Sequence, residues 1–319
     1  MTEDYACDDN ITLNGVDIAY QCHGEIENPT VLMIHGLSSP LSAWPTTLVK
    51  GIVRQGFHVV LLDNRDMGKS SIIADPKIPN LLWTAIKMKL GFSAKVPYQL
   101  EDMMNDALAL LDHLNINKVH VVGASMGGMI AQLIAIHHPD RLHTLTSIMS
   151  TTGTKRLPPI PEEVNKQLAL KSKSFDDRLA YHMNKWRVIG SPDFPASEEY
   201  LTDYVGGLLE RGITAKGTIR QLLAIMTASN RESLLMSVKV PTLVLHGDKD
   251  VLVNVEGGKA TAQCIPDAHL KIYSGMGHDF PLELVPEMIK DIVQFIHTSD
   301  TFKNTDNTLH NKEVSYEPL

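Results

Sequence analysis

What most constrains the fold of this 319-residue chain is an alternation of two periodicities along it. Val31–Ile34 and Val59–Leu62 are short runs of β-branched and other apolar residues, and the stretch between them, from about Leu41 to Gln55, is helical in pattern. Strand, helix and strand in that order form a parallel unit, because only a crossover returns the chain to the edge where the first strand began. The alternation continues with a helix from about Leu100 to Leu114, in which Met103, Ala107, Leu110, Leu111 and Leu114 recur at helical spacing. A strand over Lys118–Gly123, a helix from Met126 and a strand over Leu142–Met149 follow. The pattern breaks at Thr151–Pro161, where prolines cluster, and from there to about Leu235 only helical periodicity is present. Strand character returns at Thr242–Gly247, then a helix near Glu256–Gln263, a strand over His269–Tyr273 and a last helix over Leu282–Ile296. Near the start, Asn14-Gly15 lies between two alternating apolar runs, the turn chemistry of a two-residue hairpin, and predicts antiparallel edge strands.

These patterns predict an α/β core over residues 1–152 and 236–298, with a mostly parallel sheet and helices on both faces. A helical insertion over 153–235 forms a cap, and 299–319 is a polar, aperiodic tail. Composition enters mainly by exclusion. Lys and Arg total 29 against 37 Asp and Glu, a net charge of −8, and the basic residues are scattered, so a nucleic-acid partner has no electrostatic footprint. Cys7, Cys22 and Cys264 are odd in number and lack metal-ligand spacing, which argues against a disulfide framework and a zinc site and fits a reducing compartment. The opening MTEDYACDDN has neither the basic start nor the apolar run of a secretory signal, and no window is long enough to insert stably in a membrane. The expected location is cytoplasmic, and the sequence leaves homo-oligomerisation open.

Chemistry concentrates at Gly123-Ala124-Ser125-Met126-Gly127, a G-x-S-x-G placed between a strand and a helix. A nucleophile on such a sharp turn needs small neighbours, which Ala124, Gly127 and Gly128 supply, and the N-terminus of the following helix favours negative charge developing beside it. A serine hydroxyl is a weak nucleophile until a base takes its proton, so the motif calls for a histidine and an acid further along. His278 lies in a glycine-rich loop after the final strand, and Asp248 and Asp250 both follow the strand before it. Spacing alone does not choose between the two aspartates; Asp63, Asp66 and Asp279 are weaker candidates. His137, His138 and His143 read as structural. The turn after the first parallel strand, in MIHGLSSP, is assigned to an oxyanion hole, with the Leu37 amide as one donor and the Met126 amide as the other.

With HGLSS, LLDNRDMGKS, GASMGG, HGDKDVLV and GMGHDFP in this order, the chain resembles the α/β-hydrolase superfamily over residues 11 to 298. LLDNRDMGKS, PYQLEDMMNDALALLDHL and SIMSTTG together resemble the aclacinomycin methylesterase group, whose member enzyme removes a methyl ester from a polyketide. The resemblance implies a triad of Ser125, Asp250 and His278, selects Asp250 over Asp248, and supports Leu37 and Met126 as oxyanion donors. Many relatives carry glycine where Asp66 stands, and the Asn64–Gly68 loop is expected to support the oxyanion turn, with Arg65 not expected to touch substrate. The lack of a glycine run after His35 implies a narrow oxyanion turn, and serine rather than aspartate at the elbow argues against haloalkane dehalogenase and epoxide hydrolase chemistry.

The expected activity is hydrolysis of small to medium carboxylic esters through an acyl-enzyme, a cycle that needs neither metal nor organic cofactor. Phe175, Met183, Trp186, Tyr204, Leu208 and Met226 are candidates for an apolar substrate pocket, about half of them expected in the cap's own core. Carbon–carbon bond hydrolysis, lactone opening, peptide cleavage and perhydrolysis could use the same triad, and a non-catalytic ligand receptor could use the same fold. One segment stands apart: LLWTAIKMKLGF, residues 81–92, sits in a connection too long for a bare loop and reads as a short amphipathic helix. Packing at the mouth of the active site is the favoured reading of it, and contact with a lipid surface the other.

Overall fold

The computed structural model describes residues 5–73, 78–168 and 175–310, with side-chain surroundings over 7–73, 78–168 and 177–299. The chain opens on strands β1 (Tyr5–Leu13) and β2 (Val16–His23), paired antiparallel with Leu13 opposite Val16. Asn14 and Gly15 turn between them with φ of 51° and 78°, as a two-residue hairpin requires. Next come β3 (Thr30–Ile34), α1 (Thr46–Arg54) and β4 (His58–Leu62). The helix expected from Leu41 is divided: a single 3₁₀ turn at Leu41–Ala43 precedes α1, because Pro45 between them cannot donate the backbone hydrogen bond that would join them.

The chain proceeds through α2 (Leu81–Lys89), α3 (Leu100–His113), β5 (Val119–Ala124), α4 (Met126–His137) and β6 (Leu142–Ile148). Among the described residues five helices follow before the sheet resumes: α5 (Glu162–Leu168), α6 (Phe175–Ile189), α7 (Glu198–Gly212), α8 (Ala215–Thr227) and α9 (Glu232–Leu235). Then come β7 (Thr242–Gly247), α10 (Glu256–Cys264), β8 (His269–Tyr273) and α11 (Val285–His310). The last helix thus starts later than expected and continues over residues 299–310, where an aperiodic tail was expected. No proline or glycine stands between Ile296 and His310 to stop it.

The eight strands among the described residues form one sheet in the order β1-β2-β4-β3-β5-β6-β7-β8, antiparallel at β1 and β2 and parallel from β4 to β8. Burial on both faces explains why the central strands are apolar throughout rather than alternating. Leu32, Ile34, Val60 and Val121 pack toward α3 and α4, while Val31, Met33, Val59 and Val122 pack toward α1 and α11. The strand order reverses between β3 and β5, and such a reversal opens a crevice at the carboxyl ends of the two strands.

The inserted helices are held to the core by packing and by charge. Met183, Leu201, Val205, Leu208, Leu209 and Ile213 form one apolar cluster with Ala43 and Met67 of the core. The loop after β4 contributes two carboxylates that pair with arginines of the insertion. Arg220 of α8 meets Asp66 with both oxygens engaged, at 2.7 and 2.6 Å, and Arg211 of α7 lies 2.9 Å from Asp63. Asp66 is fully buried and Arg220 nearly so. Between Asp63 and Asp66 in sequence, Arg65 turns the other way and pairs with Asp106 of α3 through Nε and Nη2, both at 2.7 Å, so it is committed within the core. At the base of the insertion, Arg231 donates to the carbonyls of Thr151 and Ser229 and to Gln132 of α4, tying the outgoing and returning chain together. Burial among these neutral partners pushes its pKa down to about 10.

Removing one member of a buried pair strands the other charge. Arg220→Met should therefore cost about 3–5 kcal/mol of stability. Asp66 has φ of 70°, where glycine is unstrained, so Asp66→Gly added to Arg220→Met should recover part of that loss. Denaturant midpoints of the single and double variants check both expectations.

Candidate active site

The serine turn is shaped by how closely three pieces of backbone approach. A Cβ on Gly127 would fall 1.9 Å from the carbonyl oxygen of Ile34 in β3, and one on Gly123 would fall 2.3 Å from that of Gly127. Glycine at both places lets α4 start directly over β5 and against β3. Ser125 stands between strand and helix with φ of 55° and ψ of −118°, a conformation that costs a residue with a side chain about 1–3 kcal/mol. Its backbone is pinned on both sides, by Ser125 N donating to Ile148 O at 2.9 Å and Ser150 Oγ donating to Ser125 O at 2.7 Å.

The structure brings Ser125, His278 and Asp250 together from loops after three different strands. Ser125 Oγ lies 3.0 Å from His278 Nε2, and His278 Nδ1 lies 2.7 Å from Asp250 Oδ2. Asp250 and His278 are both buried. The other carboxylate oxygen of Asp250 accepts from the amides of Leu252 and Val253 at 2.9 and 2.8 Å. Burial pushes this carboxyl up, but the charge of His278 and hydrogen bonds from His246 and His278 outweigh it and hold Asp250 well below the usual carboxylate range. Asp248 is turned away, its Oδ1 accepting from Gly275 N at 2.7 Å. Asp279 accepts from Ser191 Oγ, and Asp63 and Asp66 are bound to the insertion. His143, in the first half of β6, and His137 and His138, at the end of α4, lie at the opposite edge of the sheet.

His246 is the residue that sequence reading passed over. It is the last residue but one of β7, with its Nε2 2.8 Å from the carbonyl of Val253 and 3.3 Å from Asp250 Oδ2, a second imidazole against the same carboxylate. One histidine among fourteen, placed inside an apolar strand, carries no spacing signal of such a contact.

The turn after β3 faces the serine. A Cβ on Gly36 would lie 2.9 Å from Ser125 Cβ, so glycine there permits the approach. Asn64 donates to the His35 carbonyl at 3.0 Å, and His35 Nδ1 accepts from Gly36 N at 2.7 Å. From the insertion, Gln221 accepts from Ser38 N at 3.0 Å and Thr218 Oγ1 lies 2.9 Å from Ser38 Oγ. These two α8 residues also escaped the sequence reading, since three residues apart on a helix they look like any polar face. Burial, and then the charge of His278, push the pKa of His35 down to about 3 and keep it neutral. Among the described residues, neither the Leu37 nor the Met126 amide donates to another backbone group in the loops and turns.

A cavity of about 440 Å³ lies between the insertion and the loops that carry Asp250 and His278, with Trp186, Tyr200, Tyr204, Val251, Asp279 and Phe280 in its wall. Of the residues expected to line a pocket, Trp186 and Tyr204 do so here. Met183 and Leu208 do not: they are buried in the cluster between insertion and core, where their size serves packing. Met226 is partly buried near the end of α8 and away from this cavity, and the side chain of Phe175 lies outside the described residues.

A doubly wound sheet with a serine elbow at its switch point defines a class, and the α/β-hydrolase fold family matches residues 29–283. The chain belongs to that family. It is 25% identical over 293 residues to the rhodomycin D methylesterase of Streptomyces peucetius, covering 85% of this chain and 92% of that protein. It is 24% identical over 264 residues to 3-oxoadipate enol-lactonase 2 of Acinetobacter baylyi, covering 83% and 87% respectively. Among solved structures, the meta-cleavage product hydrolase of Pseudomonas fluorescens IP01 superimposes with a TM-score of 0.71 at 17% identity, covering 91% of this chain and 98% of that one.

Two consequences can be measured. Ser125→Gly should relieve the positive φ and raise stability by about 1 kcal/mol, a rise in Tm of about 2–4 °C. Because the Asp250 pKa is depressed from its ordinary 3.8, the stability it contributes is fully present above that value and is lost as pH falls below it. Asp250→Asn should therefore be less stable than the parent at pH 7 and lose less on going from about pH 4 downward. Denaturation midpoints across that range are the check.

Proposed function

We propose that the protein is a carboxylic ester hydrolase, with Ser125 as nucleophile, His278 as general base and Asp250 as the group that orients the imidazole. The observation that carries this reading is the unbroken series of contacts from Ser125 Oγ through His278 to Asp250, at 3.0 and 2.7 Å. With Nδ1–H donated to Asp250, the His278 ring presents Nε2 as an acceptor toward the serine proton. His278 takes that proton as Oγ attacks the ester carbonyl, and the carbonyl electrons move to an oxyanion held by the Leu37 and Met126 amides. The imidazolium then gives its proton to the departing alkoxide, and water repeats the cycle on the acyl-enzyme. The acid–base work is done by His278, and the negative Asp250 stabilises the imidazolium formed at each step.

The helical insertion acts as the cap in this proposal; the cavity walled by Trp186 and Tyr204 reaches Val251 and Asp279, next in sequence to Asp250 and His278, rather than Ser125 itself. Support for an ester comes from the methylesterase among the relatives. The relatives also include a lactonase, and lactone opening uses the same attack on an ester carbonyl, so a lactone falls within the same reaction class.

A panel of methyl, short-acyl and lactone substrates, run beside a carbon–carbon substrate of the meta-cleavage type and a peptide, tests the assignment. Ester or lactone turnover should dominate, and Ser125→Ala should lower it by about four orders of magnitude. Activity retained in Ser125→Ala would remove this nucleophile, and turnover of the carbon–carbon or peptide substrate alone would replace the ester reading. Labelling of Ser125 by a fluorophosphonate, together with multiple turnovers, separates an enzyme from a ligand receptor on the same fold.

A further inference from the structure

α2 buries little of what its sequence offers. Thr84 is its one buried residue, and the helix packs on α8 through the side that carries Leu81, Thr84, Ala85 and Met88. The other side is apolar and exposed: Leu82 is 69% accessible, Trp83 63% and Leu90 67%, with Ile86 beside them and Phe92 at 64% in the turn that follows. At about 100° per residue, Leu82, Ile86, Leu90 and Trp83 fall within an arc of about 100°, and Lys89 and Lys87 lie just beyond its two edges. Residues 78–98 contain Lys87, Lys89 and Lys95 and no aspartate or glutamate, within a chain whose net charge is −8.

We propose that this face of α2, with Phe92 and Lys95, is a docking surface for an anionic lipid bilayer. At nine residues the helix is far too short to span a membrane, and among the described residues no helix is long and apolar enough to do so. Its geometry is that of a helix lying in the interface plane, with the apolar stripe entering the acyl boundary and flanking lysines reaching up to lipid phosphates. Trp83 is suited to the headgroup level, where an amphipathic ring is favoured. Charge decides against a second copy of the chain as the occupant. An isologous dimer on this face would bring one lysine-bearing patch against another, with no carboxylate in residues 78–98 to answer them. An anionic surface answers all three lysines, each worth about 1 kcal/mol near such a membrane. This proposal stands independently of the hydrolase reading, because it concerns binding alone.

The test is co-sedimentation of the full chain with vesicles of phosphatidylcholine, alone or with about 30 mol% phosphatidylserine. Binding to the anionic vesicles is expected, weakening with salt, together with a blue shift of tryptophan emission that disappears in Trp83→Ser. Leu82→Ser/Trp83→Ser/Leu90→Ser should lower the bound fraction about tenfold or more, and Lys87→Glu/Lys89→Glu should abolish the preference for anionic vesicles. Unchanged far-ultraviolet circular dichroism and an unchanged denaturant midpoint would show that the variants remain folded. The proposal fails if the parent stays in the supernatant with both vesicle types, or if the triple variant sediments as the parent does. It fails equally if the parent is a dimer by ultracentrifugation that the triple substitution dissociates without any vesicle binding, which would make the face an interface between copies.

Discussion

The structure depends on how near α4 can come to the backbone of β3. Gly127 leaves no room for a side chain against Ile34 O, and Gly123 none against Gly127 O, so the helix starts at the end of β5 with no loop to lower it. Ser125 must then turn through a positive φ, which lifts its hydroxyl over the carboxyl edge of the sheet. The same approach brings Gly36 against Ser125, so that the turn after β3 and the first turn of α4 share one small space. Helix placement, hydroxyl position and the amides around it are one geometric fact rather than three. Backbone strain at Ser125 is sustained because Ile148 and Ser150 hold its amide and carbonyl from the neighbouring strand.

Much of this was legible before any coordinates. The strands β3, β4, β5 and β7 are short and largely apolar because both faces of the sheet are covered there, and that makes them distinct from the longer amphipathic runs between them. Ser125 and His278 could be picked out because each follows a recognisable strand and parallel strands deliver their following loops to a single edge, whereas Asp250 was chosen over Asp248 only through the family resemblance. What periodicity could not carry was the split of the first helix at Pro45 or the continuation of α11 past Ile296, since polar residues without a breaker neither compel nor forbid a helix.

The contacts between the insertion and the core were illegible for a different reason. Asp63, Arg65 and Asp66 are three charges in four residues, which in a sequence resembles a solvated loop. In the fold they diverge: Asp63 and Asp66 meet Arg211 and Arg220 of the insertion, and Arg65 turns inward to Asp106. Each partner is 41 to 154 residues away, and no local pattern encodes a pairing at that range. Trp186 and Met183 illustrate the same limit within one helix: three positions apart on α6, one walls a cavity and the other fills a core.

The insertion is also tied to the loops around Ser125. α8 is anchored at Asp66 through a bidentate pair, at Arg65 O through Gln221, and at the turn after β3 through Gln221 and Thr218. Any displacement of α8 would break a buried ion pair and disturb the Ser38 amide in the same step, so this part is effectively an extension of the core. The end of α6 and the turn after it meet the core elsewhere: Ile189 O accepts from His278 N at 2.7 Å, and Ser191 Oγ donates to Asp279 and accepts from Gly277 N. The insertion therefore reaches the loops on both sides of Ser125, α8 through the Ser38 amide and the end of α6 through the His278 amide.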